Sequence, residues 1–369
     1  MTATAHWLDE RRAEAANRFA ALGVPHRRIE DWKYSDLKTA IDGANDDDAA
    51  SWKIGTLPEG VELFDLSQAD APDWVRKHLG TLPQNAMASS SLAHARTGFA
   101  VRVTGNPSEA LSVAFTGAGS CRALVVLESG ASLTLHETQK GESFSNLGVE
   151  IVIGANAQLT HIRMAPHSAA VQVEEIAVRV ARDGLYRAHL FSAGARLSRA
   201  EFQIALSGAN AQAHLAGVSV LGDGTHADVT THIIHAVGHT ASTQLFKHIA
   251  GGKSRAIYQG RITVEQGADK SDSRQTAKAL LMGERAEADL KPELEIFADD
   301  VKCAHGAAVG DLDANSLFYL RARGVPEAEA RNMLVRAFLE EAVDEIAAED
   351  IRAAVWQAVE LALPGAMAP

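Results

Sequence analysis

From Leu111 to Ile176 the chain reads as short runs, Leu111-Ser-Val-Ala-Phe115, Ala131-Ser-Leu-Thr-Leu-His136, Glu150-Ile-Val-Ile153 and Gln172-Val-Glu-Glu-Ile176, whose reading decides the fold. Alternation of this kind puts successive side chains on opposite faces of a strand. Small turn residues, not helix signals, separate the runs. The punctuation repeats: Gly130-Ala131, Asn156-Ala157, Gly194-Ala195, Asn210-Ala211 and Gly267-Ala268 each introduce a new strand-like run. Irregularly spaced repeats of this sort predict a solenoid whose coils turn on Gly/Asn-Ala corners. No helices intervene between the strands, which disfavours a doubly wound α/β fold. The expectation is a mainly β chain built on a β-helix, with a β-sandwich as the alternative.

The texture changes on either side of this core. Trp7, Leu8, Ala15, Phe19 and Leu22 fall at roughly helical spacing within Thr4–Leu22, and Gly23 with Pro25 ends that run. The Asp-rich stretch Asp42–Ala50 reads as a loop, and a short helix is expected around Asp73–Leu79. At the other end, Ala314–Arg323 reads as a helix closed by Gly324 and followed by Pro326. Pro326–Ile346 follows, with an apolar stripe of Ala330, Met333, Leu334, Ala337, Phe338 and Ile346, and Ile351–Leu363 forms a third amphipathic segment. The expected division is a mainly helical region over 1–88, the β core over 89–308 and a helical region over 309–369. Solenoid ends leave strand edges unpaired, so helical caps are expected to cover both ends.

Composition limits the function. Hydrophobic residues make up 46% and charged residues 22%, ordinary for a globular chain with a sizeable core. A formal net charge of −12 argues against nucleic acid or an anionic membrane surface as the main partner. Two cysteines only, Cys121 and Cys303, fit a reducing compartment. Met1–Phe19 carries Asp9, Glu10 and Glu14 and has no signal-peptide core, and no apolar stretch reaches the roughly 20 residues of a membrane span. A cytoplasmic location is expected.

Most motif-like features read as turns. Gly252-Lys253-Ser254 resembles the tail of a phosphate loop, but Lys247 stands where the first glycine belongs, so ATP hydrolysis by this chain is not expected. Gly222-x-Gly224-x-x-Ala227 fits a loose dinucleotide fingerprint, yet His226–Val237 alternates like a strand where a helix is needed. His226, His232, His235, His239 and His248 cluster, but His232 and His235 have opposite strand parity and no coordination shell is complete. Cys303-Ala-His305 differs. Residues i and i+2 of a strand project from the same face roughly 7 Å apart, so a thiolate and an imidazole there can approach one metal ion.

The stretch Pro292-Glu-Leu-Glu-Ile-Phe-Ala-Asp-Asp-Val-Lys-Cys-Ala-His-Gly-Ala-Ala-Val-Gly310 resembles the signature of the SufB/SufD family. The similarity continues through Leu312-Asp313, Leu317–Gly324 and Glu329–Phe338, and upstream through Tyr258–Val264 and Gln275. Pro25-His-Arg-Arg-Ile-Glu-Asp-Trp-Lys-Tyr34 is similar to a block that follows the first helix in the SufD branch. Gly306, where SufB members typically have glutamate, the short chain and the absence of an N-terminal cysteine cluster favour that branch. The resemblance implies a right-handed parallel β-helix between helical regions, and a non-catalytic scaffold of iron–sulfur cluster assembly. Its implied partners are SufB and the ATPase SufC, with a homodimer possible for the isolated chain. It implies that Cys303 and His305 contribute to a transient Fe–S cluster shared with SufB, with no stably bound cofactor in the chain alone. It places SufC docking on the C-terminal helices, where Leu317, Tyr319, Arg331, Leu334, Arg336 and Phe338 are the candidate contacts. A complete cluster shell generally takes four ligands, mostly thiolates, and one chain with two separated cysteines cannot easily supply them. The alternative is a β-helical carbohydrate-active or acyl-transfer enzyme using the solenoid groove, although few aromatic residues (5%) leave few sugar-stacking platforms.

Overall fold

The computed structural model describes residues 7–43 and 50–367, so the start of the helix expected from Thr4 and most of the Asp42–Ala50 loop lie outside the described residues. The N-terminal region supplies α1 (Asp9–Leu22), α2 (Leu37–Ala40), β1 (Ser51–Ile54), β2 (Val61–Asp65), α3 (Asp73–His78) and α4 (Ala86–His94). The strands β3 (Thr97–Val103), β4 (Leu111–Leu127), β5 (Ser132–Ile153), β6 (Gln158–Ala165), β7 (Ser168–Val180) and β8 (Leu185–Ser192) begin the core. It continues through β9 (Ala195–Leu206), β10 (Gln212–Leu221), β11 (His226–His235), β12 (Ala241–Ala250), β13 (Arg255–Val264), β14 (Asp272–Leu281), β15 (Glu287–Ile296) and β16 (Lys302–Gly310). Three helices close the chain: α5 (Ala314–Ala322), α6 (Glu327–Val343) and α7 (Glu349–Ala366).

The strands form a parallel β-helix of about eight coils. One wall runs β7-β9-β11-β13-β15 and the other β6-β8-β10-β12-β14-β16. The long strands β4 and β5 bend through both walls, and the first half of β5 pairs with β6 while its second half pairs with β7. Inward side chains such as Val149, Ile151, Tyr186, Phe202, Leu215, Phe246 and Tyr258 fill the interior.

The corners explain the sequence punctuation. Gly130, Asn156, Asp183, Asn210, His239 and Lys270 all take positive φ at the same corner of successive coils. Each amide in this column donates to a carbonyl of the next coil: Gly130 to Ala155, Asn156 to Arg182, Asp183 to Ala209, Asn210 to His239, His239 to Asp269 and Lys270 to Asp300. Glycine, Asn and Asp tolerate that conformation readily, and the alanines that follow at 131, 157 and 211 bury their methyl groups.

Both outer walls are covered. The N-terminal helices lie along the β7–β15 wall, where Leu8, Leu79 and Leu92 cover Leu124, Val126 and Val152, and Trp32, Leu37 and Met87 cover Val171 and Val173. The segment 29–35 then tracks toward the last coils. Trp32 stacks over the guanidinium of buried Arg199 at 4.1 Å, and Ser35 donates to Asp228. Gln259 donates to the Asp31 carbonyl, Arg261 pairs with Asp31, and Lys291 pairs with Glu30. The segment 30–35 is thus a clamp across β9, β11, β13 and β15.

The C-terminal helices do not cap the solenoid end as expected. They fold back along the opposite wall, where Val335, Leu339, Val343, Ile351, Val355 and Val359 bury against Ile162, Phe191, Val218, Val220 and Ile249. The stripe that buries α6 is therefore Ala330-Val335-Leu339-Ala342-Val343, with Ile346 just beyond it. Met333 and Ala337, expected in the stripe, are exposed. This helix carries apolar residues on more than one face, and the wall beneath selects which face is buried. At the N-terminal end, antiparallel β1 and β2 cover β4 and β3. At the C-terminal end, β15 and β16 each have a single strand partner among the described residues, and Ile296, Phe297 and Val309 are exposed beside them.

Candidate functional site

Cys303 and His305 lie on β16, the last rung of one wall. Parallel pairing with β14 sets Cys303 beside Ser273 and His305 beside Gln275. One rung further in, Ser273 pairs with Ser242 and Gln275 with Gln244. Cys303 and His305 therefore end two inward-facing columns, Ser242-Ser273-Cys303 and Gln244-Gln275-His305, at the mouth of the solenoid.

Each column is hydrogen-bonded behind its end. His235 is bonded through one ring nitrogen to Thr240 at 2.7 Å and through the other to Ser242 at 2.9 Å, and Ser242 is bonded to Ser273 at 2.7 Å. Thr231 donates to Gln244 Oε1 at 2.6 Å, Tyr258 Oη donates to the same oxygen at 3.1 Å, and Gln275 Nε2 donates to Tyr258 Oη at 2.8 Å. These hydrogen-bonded chains hold fixed rotamers, because an unpaired buried polar group is costly.

The two end groups differ in environment. Cys303 is half-buried, and burial, with Asp272 beside it, pushes its thiol above the ordinary range. His305 is exposed, because no further coil among the described residues covers the last rung. Cys121 is enclosed in the core, where burial pushes its thiol up to about 12, the environment of an inert structural cysteine.

The histidine cluster does not assemble. His226 bonds to Ser35, His232 to Thr263 and His235 to Thr240 and Ser242, while His239 sits in the corner column and His248 is buried inside. Among the described residues no group of three His, Cys, Asp or Glu side chains is placed to hold a metal ion. Gly252-Lys253-Ser254 is a corner, with Lys253 N–H donating to Asp223, and it leads into β13 rather than a helix. Gly222 and Gly224 likewise lead into β11.

Of the six C-terminal candidates, Leu317 and Tyr319 are on α5 and the others on α6. Tyr319 is exposed and stacks with Arg323 at 4.4 Å, next to exposed Phe318. Leu317, Arg331 and Leu334 are half-buried. Phe338 lies under Lys247, whose ammonium pairs with Glu341, and Arg336 pairs with Glu360 at 2.7 Å and stacks on Trp356.

Sequence reasoning missed a second buried polar set deep in the solenoid. Glu137, Gln139, His161, Arg163, Glu174 and Tyr186 meet there, with His161 bonded to Glu137 and Tyr186, and Arg163 bonded to Glu174 and Gln139. Burial raises Glu174 to about 8 despite Arg163, and burial lowers His161 to about 4. The available signal was polar residues at inward parity within runs such as Leu159-Thr-His-Ile-Arg163.

Residues 113–338, from β4 through most of α6, match the family model described as SUF system FeS cluster assembly, SufBD core domain. The chain belongs to the SufBD family. Among its relatives is the iron–sulfur cluster assembly protein SufD of Escherichia coli, 34% identical over 244 residues, which are 65% of this chain and 58% of that protein. A SufBD family protein of Synechocystis is 32% identical over 64% of this chain and 55% of its own length. The chain thus spans little more than half the length of these relatives. A Mycobacterium bovis SufBD family protein is 25% identical but aligns over 92% of this chain and 89% of its own. The SufBD match takes in the whole of β16, and with it Cys303 and His305, together with α5.

Proposed function

We propose that this SufBD chain is a SufD-like, non-catalytic scaffold of cytoplasmic iron–sulfur cluster assembly, presenting Cys303 and His305 to a SufB-like partner. One observation carries the reading: the Cys-x-His pair stands on the last rung of the solenoid, a strand paired with β14 on one edge and with no strand among the described residues on the other. An open coil end with free strand edges and exposed Ile296 and Val309 is suited to meet another chain rather than solvent. The nascent cluster is cargo at that junction. This chain supplies one sulfur and one imidazole ligand, and the partner completes a shell of about four. Cys303 gives up its proton on binding iron, because only the thiolate is a ligand. The partial shell leaves the cluster free to move on. SufC docks on α5 and α6 through the face that includes Leu317, Tyr319, Arg331, Leu334, Arg336 and Phe338, and ATP turnover belongs to SufC.

The test is co-expression with SufB-like and SufC-like partners, with and without this chain, measuring co-purification, iron, acid-labile sulfide and ATP hydrolysis. The chain is expected to co-purify and to raise cluster yield, with no ATP turnover of its own. Equal cluster yield in its absence, or ATP turnover by the chain alone that disappears on Lys253→Ala, contradicts the reading.

A further inference from the structure

Gln275 is 1% exposed, and its amide is half used. Nε2 donates to Tyr258 Oη at 2.8 Å, while Oε1 is buried without a partner among the described residues. The tyrosine hydroxyl donates to Gln244 Oε1 and its oxygen accepts from Gln275, which leaves the carbonyl end of Gln275 over. A buried carbonyl oxygen without a donor is costly, so its persistence calls for a reason. The adjacent rung supplies one. Gln275 and His305 are direct register partners on β14 and β16, and paired residues of neighbouring parallel strands project from the same face about 4.8 Å apart.

The packing across the solenoid is cut to hold this amide. Gly260 on β13 faces it from the opposite wall, and a Cβ there would stand 1.9 Å from Gln275 Nε2 and 2.4 Å from Tyr258 Oη. The missing side chain is the space the Gln275–Tyr258 bond occupies.

We propose that Gln275 is a positioning residue for His305, its unpaired Oε1 accepting the ring N–H so that the other ring nitrogen faces outward as a bare lone pair. The proposal rests on His305 being a ligand. A neutral imidazole has one N–H and one lone pair, and the hydrogen bond made by the first decides which nitrogen offers the second. An exposed histidine on a terminal strand otherwise divides between two tautomers and several rotamers. The chain Gln244-Tyr258-Gln275 transmits order from the rigid interior to a side chain with no coil above it.

The test uses the full chain without cluster or partner, so it does not depend on whether a cluster forms. Ring-¹⁵N histidine NMR at pH 8, with His305→Ala used only to assign the signal, should show one dominant neutral tautomer at His305. Gln275→Leu should shift that signal toward a mixture of tautomers. An evenly mixed tautomer in the wild-type chain overturns the proposal with no variant needed, as does an unchanged signal in Gln275→Leu. A single tautomer lost in Gln275→Leu, in a chain whose His305→Ala variant still supports full cluster yield, would sustain the positioning and remove the ligand role.

Discussion

Replacing Arg199 by methionine should remove a large share of the stability of this fold. Arg199 is fully buried and donates to Asp228 at 2.6 Å and to Glu201 at 2.7 Å. Glu175 is buried beside them, raised well above its usual range by burial and by Glu201. Methionine fills much of the same space, so the loss is electrostatic rather than a cavity. It leaves three buried carboxyls without their guanidinium, and breaking a buried pair in this way costs about 3–5 kcal/mol. Loss of the cation beneath Trp32 adds about 1–2 kcal/mol for a desolvated stack. Against a total of about 5–15 kcal/mol for a typical domain, that is enough to loosen the N-terminal clamp at ordinary temperature. Urea unfolding followed by circular dichroism, with limited proteolysis of the segment around 29–35, measures both effects. Adding Asp228→Asn and Glu201→Gln should recover at least half of the loss, because it removes the stranded charges. A single-variant loss below about 1 kcal/mol, with the clamp still protected, would refute the claim that this buried charge cluster holds the N-terminal block.

Stability should peak near pH 6.5. His161, His189, His226, His235 and His248 are each held near 4 by burial, so unfolding takes up protons between about 4 and 6.5 and stability falls as pH drops through that window. Glu137, Glu174 and Glu175 are raised by burial, so unfolding releases protons above about 4.5, and stability also falls as pH rises toward the value of about 8 at Glu174. Where the windows overlap, five histidines outweigh three carboxyls. Urea midpoints that rise steadily from pH 5 to pH 8 would contradict this. Arg331→Glu should weaken co-purification with SufC severalfold while the circular dichroism spectrum stays unchanged. It is a cleaner probe than Arg336, which Glu360 and Trp356 already hold. Unaltered SufC binding, with binding also surviving removal of everything beyond Gly310 while the β core stays folded by circular dichroism, would move the docking surface elsewhere.

Much of this was legible in the sequence, for reasons that differ by region. Alternation at Leu111–Phe115 and Ala131–His136 gave the strands, and Asn156-Ala157 and Asn210-Ala211 gave the corners, because those residues favour the turn conformation on their own. Asp183, His239 and Lys270 occupy the same corner column, but only stacking on the coils above and below holds them there. Cys303 and His305 could be placed on one face by strand parity alone. That they end interior columns could not, because it depends on the register by which Gln212, Ala241, Asp272 and Lys302 align across coils. Gln275 and Gly260 lie in stretches that resemble the family, but that they face each other could not be read for the same reason. The path of α6 and α7 was misjudged because an amphipathic stripe reports that a helix is covered, not which surface covers it.

The central claim is tested most directly by cluster content in the reconstituted complex. Iron and acid-labile sulfide per intact complex should fall clearly for His305→Ala and for Cys303→Ser, while Cys121→Ser, altering a cysteine buried in the core, leaves the content unchanged. Wild-type content in both His305→Ala and Cys303→Ser, with the complex intact, would make this chain a passive partner and the open-end site wrong.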